Sequence, residues 1–352
     1  MAVDEVVLQA LIEEKLKPFV KKIDEEAYYA EDFLLALGKA GFFASTQKDE
    51  QTVRLDELTI VQETAKVCMT TAFCLWCHLA ALTYLRKTDN EPLRTKILPL
   101  LERGEVLGAT GLSNPMKYYA GLEKLHLTAA RVDGGYVVNG ILPAVSNLGA
   151  NHWFGAIAYN GEQEVMIFVN TDHERITLKE KNHFLGVNGS ATYTCKFDNV
   201  FVGDDYVVAQ EASTFVDSIR PTFVLYQIPL GFGVVAAAIE GIEKVKAKQN
   251  GCNEYLQVQA DELKEKLQHL QALLQTLVQS GDVTLQAICQ IRLQGVYQTL
   301  AAVQANMLHN GSAGYIAGST PSRKLREAYF LANLTPTVRQ LEKMTQKAKV
   351  AK

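Results

Sequence analysis

The chain has 352 residues, of which 48% are hydrophobic and 21% charged, as is ordinary for a globular protein. Its formal net charge is -4 and its Lys and Arg residues are scattered, which argues against a nucleic-acid partner or an anionic membrane surface. The N-terminal stretch predicts an amphipathic helix rather than a signal peptide, and the six cysteines are expected to be free thiols. These features predict a cytoplasmic protein that does not span a membrane.

Helices are predicted from the N-terminus to residue 106. Leu8, Leu11 and Ile12 begin an apolar stripe at helical spacing, and the stretch 30–43 predicts a second helix that Gly41 ends. Residues 54–87 are predicted to form one long helix whose second half is apolar enough to be buried on most sides.

Strands are predicted over residues 107–212. The segment 125–140 contains Asp-Gly-Gly between two alternating runs, which is typical of a β-hairpin. Residues 152–159 and 164–170 predict further strands. In a last strand, Tyr193, Cys195 and Phe197 alternate with polar residues, and Asp198-Asn199 and Gly203-Asp204-Asp205 are expected to lie at its exit.

The helical pattern returns after residue 212. Leucines from 256 to 274 share one face, and apolar residues from Cys289 to Met307 recur in steps of three and four, as in a helical bundle. Pro336 interrupts the last helical stretch. The sequence therefore predicts an α+β protein with three domains: N-terminal helices (1–106), an antiparallel β domain (107–212) and a C-terminal four-helix bundle (213–352).

A Cys-x-x-Cys-His pattern occurs at 74–78, but it lies within an apolar helical stretch. Because free cysteines are usually buried, core packing is the favoured interpretation over haem attachment. No second Cys/His pair follows at ligand spacing, so no metal site is predicted.

The order of these segments and their local sequences resemble those of the acyl-CoA dehydrogenase family of flavoproteins. The likeness lies in "KPFVKKIDEEAYYAEDFLLALGKAGFF", "LPLLERGEVLGATGLSNP", "YVVNGILPAVSN", "FLGVNGSATYTCKFDNVFVGDDYVV", "SIRPTFVLYQIPLGFGVVAAAIEGIEKV" and "GSAGYIAGSTPSRKLREAYFLANLTPT". Each motif is weak alone, but they are collinear over nearly the whole chain. The resemblance implies that the β domain forms the wall of a flavin site.

Flavin-contacting residues are implied by the same resemblance. It places Leu112 and Ser113 on one flavin strand, Ser146 and Asn147 on the neighbouring strand, and Thr337 at a conserved threonine position. Hydroxyl and backbone N–H donors at these positions suit the polar edge of a flavin. From the residues alone a turn role for both serines is favoured, and the resemblance reverses that preference.

The sequence departs from the family where the rest of the dinucleotide would bind. Ala144 replaces a tryptophan that stacks on the flavin, and Leu308 replaces a glutamine. "KAKQNGCNEY" replaces an Arg-x-Phe-Gly motif, for which Lys246 or Lys248 is only a partial substitute. These departures affect the adenylate half of FAD more than the flavin ring, so FAD is expected and FMN is kept as an alternative.

The family's catalytic carboxylate is missing from both positions where it is known. Thr335 occupies one and Ile219 the other, and neither side chain is a base at neutral pH. Glu327 is interpreted as a helix-surface ion pair rather than a base, and His309 as a capping or surface residue.

The resemblance implies a flavin-dependent oxidoreductase that acts on an acyl thioester, such as an acyl-CoA, or on a similar small substrate. Two alternatives stay open: a flavin monooxygenase on the same fold, and a non-catalytic scaffold that has lost the flavin. A homodimer or homotetramer is expected, and a flavin electron-transfer protein is a candidate partner.

Overall fold

The computed structural model describes residues 3–181 and 183–350. Within these residues, helices at both ends of the chain enclose a single β-sheet region. The predicted α+β class and the order of helices, sheet and helices are thereby confirmed.

The N-terminal helices form one layer against the sheet. The chain passes from the first helix through a π-helical stretch (Ile12–Leu16) and a 3-10 turn (Lys17–Phe19), and a second π-helical stretch (Leu93–Ile97) precedes the sixth helix. The helices are α1 (Glu5–Leu11), α2 (Val20–Glu25), α3 (Glu31–Lys39), α4 (Glu50–Val67), α5 (Met69–Lys87) and α6 (Leu98–Glu102).

The predicted long helix over residues 54–87 is wrong in one respect, because it is broken at Cys68. This residue has extended backbone angles (φ −147°, ψ 105°), so α4 ends at Val67 and α5 begins at Met69. The apolar pattern runs through the break without Pro or Gly and gives no local indication of it. Helix α5 is buried from Met69 to Leu85, as predicted.

Eight strands form the sheet, in the spatial order β6-β7-β3-β2-β4-β5-β8, with β1 pairing β4 in parallel. The predicted hairpin is β2 and β3, which are joined by Asp133-Gly134 with Gly134 at φ 72°, a left-handed conformation that glycine accepts readily. The strands are β1 (Gly108–Thr110), β2 (Leu127–Val132), β3 (Gly135–Val145), β4 (Trp153–Tyr159), β5 (Glu164–Asn170), β6 (Ile176–Glu180), β7 (Tyr193–Gly203) and β8 (Val207–Ala209).

Strand β7 confirms the predicted alternation, with Cys195 and Phe197 buried and Lys196 exposed. Of the two expected exit signals, Asp198-Asn199 is wrong, because the strand continues to Gly203, and Gly203-Asp204-Asp205 is confirmed, because the strand ends there. Asn199 has φ 55° at this point, and the register against β3 shifts by one residue there. The two polar residues therefore mark a β-bulge within the strand rather than its end.

A short helix and the C-terminal helices complete the fold. After residue 212 the chain forms two consecutive helices, α8 and α9, which part at Tyr226 and Gln227 just before Pro229. Thr335–Thr337 separates the last two helices, as Pro336 predicts. The helices are α7 (Ser113–Tyr119), α8 (Ala212–Leu225), α9 (Ile228–Glu243), α10 (Ala260–Ser280), α11 (Leu285–Asn310), α12 (Thr320–Asn333) and α13 (Val338–Val350).

The buried residues form two hydrophobic clusters. One joins the N-terminal helices to α8–α13, and the other lies within the sheet between β2, β3, β4, β5 and β7. The stretch Ala212–Glu243 is the only one in the described chain whose length and apolar composition would suit a membrane span. Its most apolar window is 89% buried inside the protein, as expected of core helices.

Candidate functional site

The segment of Leu112 and Ser113 lies at a helix start rather than on a strand, which corrects the predicted register. Strand β1 ends at Thr110, Leu112 is the N-cap of α7, and Ser113 is its exposed first residue. Pro115 fits in the first turn because the N–H groups there have no intrahelical acceptor. The Thr110–Ser146 bridge nevertheless places the two predicted flavin segments side by side.

Ser146 and Asn147 are engaged with the protein itself. The Ser146 Oγ lies 2.7 Å from the Thr192 Oγ1, which in turn lies 2.8 Å from the Ser190 Oγ. The Asn147 side chain is fully buried, donates from Nδ2 to the Gly108 carbonyl at 2.8 Å, and accepts from the Tyr29 hydroxyl at 2.7 Å. Its carboxamide therefore ties helix and strand segments together, a structural role.

His152 extends this group of residues to the protein surface. Its Nδ1 lies 3.0 Å from the Asn147 carbonyl oxygen and its Nε2 lies 2.8 Å from the Glu31 carboxylate. Both neighbouring oxygens are hydrogen-bond acceptors. The hydrogen bond from His152 lowers the pKa of Glu31 below its ordinary value. We call Tyr29, Glu31, Asn147 and His152 the Asn147 network.

A cavity of about 690 Å³ lies at the other predicted position, around Thr335. This volume falls within the range of about 300–1,000 Å³ that is usual for small-molecule sites. Helices α7, α8 and α13 and the loop before α13 form its walls. Its apolar lining includes Met116, Tyr119, Phe223, Val224, Pro336 and Met344, and Thr335 and Thr337 also line it. We call it the Thr335 cavity.

Cations outnumber acids in the lining of the Thr335 cavity. Four basic residues line it against one acid, Glu123; the four are Lys117, Arg220, Arg339 and Lys343. Lys117 is paired with Glu123 at 2.8 Å, and Arg220 reaches Asp217 at 3.4 Å. For Arg339 and Lys343 the described residues offer no carboxylate within 4 Å. An anionic, partly apolar ligand therefore suits this cavity.

A buried arginine lies behind the Thr335 loop. Arg292 is 1% exposed, and it donates to the Leu331 carbonyl at 2.9 Å and to the Gln227 Oε1 at 3.4 Å. Gln227 in turn donates to the Thr335 carbonyl at 2.9 Å. Burial lowers the pKa of Arg292 to about 10, so it remains cationic at neutral pH. This chain of hydrogen bonds fixes the Thr335 backbone.

The two positions for a catalytic base differ in location. Thr335 lines the cavity, whereas Ile219 is fully buried in the helical core and does not line it. Glu123 is the one carboxylate among the described lining residues. Hydrogen bonds from Lys117 and Asn114 lower its pKa despite partial burial, which makes it a weak base.

The interpretation of Glu327 as a surface ion pair is wrong, because the residue is 1% exposed. Its Oε1 accepts from Arg323 at 2.9 Å and from the Met69 N–H at 3.2 Å, and its Oε2 lies 2.9 Å from the Lys324 Nζ. We call Arg323, Lys324 and Glu327 the Glu327 triad. Together they satisfy the backbone groups at the helix break at Cys68. The cations reach the last carbonyls of α4, at Ala65 and Val67, while the carboxylate caps the first N–H of α5.

The other singled-out polar residues are structural. His309 is buried and donates from Nε2 to the Val258 carbonyl at 2.9 Å, so it caps a loop from the interior rather than from the surface. Cys74, Cys77 and His78 are buried in α5, as predicted. The His78 Nδ1 accepts from the Gly108 N–H at 2.9 Å, and burial lowers the pKa of His78 to about 3.

Sequence reasoning missed most of the cavity's charged lining. Arg339 and Lys343 are four residues apart, a spacing that puts both on one face of a helix, and this pattern was available in the sequence. The place of Tyr119 in the cavity wall could not be predicted from such a pattern. Its hydroxyl is buried without a hydrogen-bond partner, and its place in the cavity wall, with the Arg220 guanidinium of α8 5.9 Å from its ring centroid, depends on the tertiary fold.

The Thr335 cavity fits a flavin ring in its chemistry, since apolar walls and threonine hydroxyls match the faces and polar edge of the ring. For the adenylate part, the described residues that line the cavity offer no comparable second set of groups. In the segment after α9 that replaces the Arg-x-Phe-Gly motif, Asn253 donates to the Val245 and His309 carbonyls and is itself buried.

Comparison with known proteins agrees with this architecture. The model of the family "Acyl-CoA dehydrogenase, N-terminal domain" matches residues 5–105. A probable acyl-CoA dehydrogenase of Mycobacterium bovis is 25% identical over 249 residues, which cover 66% of this chain and 63% of the relative. The chain thus spans less than two thirds of that relative's length.

Two solved structures illustrate the likeness in fold. Butyryl-CoA dehydrogenase from Megasphaera elsdenii superposes with a TM-score of 0.85 at 16% identity, covering 99% of both chains. KijD3, solved in complex with FMN and a dTDP-sugar, superposes with a TM-score of 0.79 at 17% identity, covering 99% of this chain and 95% of its own.

Proposed function

Because the chain is a divergent member of the acyl-CoA dehydrogenase family, we propose that it is a flavin-dependent oxidoreductase whose substrate binds in the Thr335 cavity. The observation that carries the proposal is the cavity itself, which combines apolar walls, two threonines and a surplus of cations. An acyl thioester of the CoA type has the matching chemistry, with an apolar acyl part and anionic phosphates.

The cavity's residues would have separate tasks. Met116, Phe223 and Val224 would hold the acyl part and exclude water, and Phe223 is backed by Trp76, whose ring centroid lies 4.7 Å away. Arg339 and Lys343 would bind the anionic part. A bound flavin would supply the hydride acceptor. We propose Leu112, Ser113, Ser146, Asn147 and Thr337 as its contacts. Thr337 is supported by its place in the cavity wall, whereas the Asn147 carboxamide is bonded to Gly108 and Tyr29 and would have to exchange these bonds to contact a flavin.

Proton abstraction is the step for which this chain is poorly equipped. The substrate carbon requires a carboxylate within hydrogen-bond reach, and Thr335 stands where the family has one. A general base contributes about a hundred- to ten-thousandfold in rate. We therefore propose that the protein is a slow dehydrogenase toward conventional acyl-CoA substrates. Arg292, buried near the Thr335 backbone, would still favour negative charge that develops in the cavity.

The first test is the absorption spectrum of the purified protein, followed by extraction to distinguish FAD from FMN. A flavin spectrum, with a shift on addition of an acyl-CoA, is the expected result. A colourless protein that does not take up added FAD or FMN would refute the flavin proposal and favour the non-catalytic scaffold. The structure of the segment around Asn253 makes FMN a serious alternative to FAD.

A flavin monooxygenase is the second candidate, and the missing base favours it because oxygen activation at a reduced flavin does not require that carboxylate. The two enzymes are separated by their use of oxygen. Anaerobic mixing with acyl-CoA substrates should bleach the flavin of a dehydrogenase. Stoichiometric oxygen consumption with an external reductant, coupled to substrate hydroxylation, would instead support the monooxygenase.

We propose a homodimer or homotetramer, a cytoplasmic location and domain boundaries at 106/107 and 212/213. Self-association is supported by four apolar or aromatic side chains of the C-terminal region that are more than 60% exposed: Tyr255, Leu308, Tyr315 and Ile316. An electron-transfer flavoprotein as partner follows only from the dehydrogenase proposal. Sedimentation of the purified protein tests the oligomeric state directly.

A further inference from the structure

A second cavity lies on the opposite face of α8 from the Thr335 cavity. Its volume is about 390 Å³, and Thr222 and Tyr226 line it, whereas Phe223 and Val224 line the Thr335 cavity. The first turn of α4, the end of α5 and the segment before α6 form its other walls. Its charged lining consists of Lys48, Glu50, Arg54, Arg86, Lys87 and Arg94. We call it the basic pocket.

Two of its five cations are neutralised by carboxylates that do not line the pocket. Lys48 is paired with Asp56 at 2.8 Å. Arg86 is paired with Glu57 at 2.7 Å and with Glu102 at 3.3 Å. These pairs are mostly buried and leave little positive charge to recruit a ligand. The charge available for binding therefore comes from the other three cations.

Arg54 and Lys87 share one carboxylate, that of Glu50, at 2.7 and 2.9 Å. Arg94 also lines the pocket, and no carboxylate of the described residues lies within 4 Å of it. Three cations therefore face one anionic charge. An anion with two negative charges, bound in place of the Glu50 carboxylate, would pair with all three cations.

The pocket is built to hold such an anion in a fixed position. Arg54 is only 15% exposed, and its Nε is buried without a hydrogen-bond partner. Its Nη2 lies 3.5 Å from the Thr222 Oγ1, and Thr222 is itself 4% exposed. The N-terminus of α4 adjoins this wall, but the Asp49 carboxylate already accepts from the Thr52 N–H there, so the charge that binds the anion comes from the cations.

The Glu50 carboxylate occupies the position, between Arg54 and Lys87, that a bound anion would take. Its side chain is 55% exposed, so it can swing into solvent without leaving a buried charge behind. We propose that the basic pocket binds a phosphate-class dianion, free or as the terminal group of a nucleotide, which displaces the Glu50 carboxylate from Arg54 and Lys87. This site is independent of the Thr335 cavity and of the oxidoreductase proposal.

Isothermal titration of the full chain with inorganic phosphate and with ADP, at constant ionic strength, tests the site. Two variants should move affinity in opposite directions. Arg94→Gln removes a charge-assisted contact and should weaken binding by about tenfold or more. Glu50→Gln removes the competing carboxylate and should strengthen binding by about threefold to tenfold. Both residues are exposed, so both variants should fold, which circular dichroism would verify.

Lys96→Gln provides the matched control, because Lys96 is two residues from Arg94, is 70% exposed and does not line the pocket. It should leave the affinity unchanged. Equal affinity for phosphate and ADP would identify the free ion as sufficient, and tighter binding of ADP would show that a larger ligand carries the group. The proposal is overturned if neither probe binds saturably, or if all three variants weaken binding alike.

Discussion

The Asn147 network and the Thr335 cavity both occupy positions that resemble flavin-contacting segments. They differ in whether their polar groups have hydrogen-bond or ion-pair partners within the protein. In the network, the Asn147 side chain bonds to Tyr29 and to Gly108, and both nitrogens of His152 have acceptors. In the cavity, the Tyr119 hydroxyl and two cations, Arg339 and Lys343, have no such partners among the described residues.

This difference separates residues that hold the fold from residues that are available to a ligand. A buried polar group that is fully satisfied stabilises the protein and gains little from a ligand, whereas an unsatisfied group in a cavity can gain a bond on binding. Variants of the network should therefore lower stability and leave binding in the cavity intact. Variants of the cavity should do the reverse.

The largest effect is expected from Thr335→Glu, which places a carboxylate in the cavity wall at the position where the family has its base. In flavin-loaded protein under anaerobic conditions, the rate of flavin bleaching by an acyl-CoA should rise about a hundred- to ten-thousandfold. Stopped-flow absorption measures this rate.

Thr335→Gln is the matched control, since it has the same size without a basic oxygen, and it should not accelerate bleaching. Rapid bleaching by the unmodified protein would contradict the expectation that the base is missing. In that case Glu123→Gln becomes decisive, because Glu123 is the one carboxylate that the described residues contribute to the cavity wall.

Variants of the Glu327 triad test whether buried polar groups that are paired within the protein stabilise the fold. Glu327→Gln leaves the buried cations Arg323 and Lys324 without a counter-charge and should lower the free energy of unfolding by about 3–5 kcal/mol. Urea denaturation measures this change. Glu342→Gln, which alters an exposed contact with Tyr297, should cost less than about 1 kcal/mol. Similar losses in both variants would contradict the role assigned to the triad.

Asn147→Ala should lower the free energy of unfolding by about 2–4 kcal/mol, because it leaves the Gly108 carbonyl and the Tyr29 hydroxyl without partners. Part of this loss is backbone strain, since Asn147 has φ 64°. Asn147→Gly lacks that strain and should be about 1 kcal/mol more stable than Asn147→Ala. If the Asn147 side chain instead binds flavin, Asn147→Ala and Asn147→Gly should both lose flavin affinity under conditions where both variants are still folded.

The strands could be predicted from the sequence because their evidence is local. The Asp133-Gly134 turn and the alternation around Cys195 each depend on neighbouring residues. The break at Cys68 could not be predicted, since it is stabilised by Arg323, Lys324 and Glu327, more than 250 residues away along the chain. The same long-range packing explains why Glu327 looked like a surface residue.

The candidate site was predictable only in part. Thr335 and Thr337 line the cavity, and the motif that contains them pointed to this region. The exposure of Ser113 and the pairing of Ser146 with Thr192 depend on where β1 ends and on how β7 approaches β3. A hydroxyl at a family position therefore indicates which segment is involved, but not whether its side chain is free.

The smallest effect is expected at the edge of the Asn147 network, from Glu31→Gln, and it should depend on pH. The hydrogen bond from His152 lowers the pKa of Glu31 in the folded protein below its ordinary value of 4.5. A depressed folded pKa stabilises the protein above the unfolded pKa, and this contribution is lost as the pH falls through the folded pKa. Wild type should therefore lose this contribution progressively below pH 4.5, whereas Glu31→Gln lacks it at every pH. Since the Glu31 side chain is 44% exposed, the difference near pH 6 should be under about 1 kcal/mol. Urea denaturation at pH 6 and at pH 3 would measure it. Asp32→Asn removes the next acid in the first turn of α3 and controls for the interaction of either carboxylate with the helix dipole. A gap between Glu31→Gln and wild type that widens toward pH 3 would contradict the assigned ion pair.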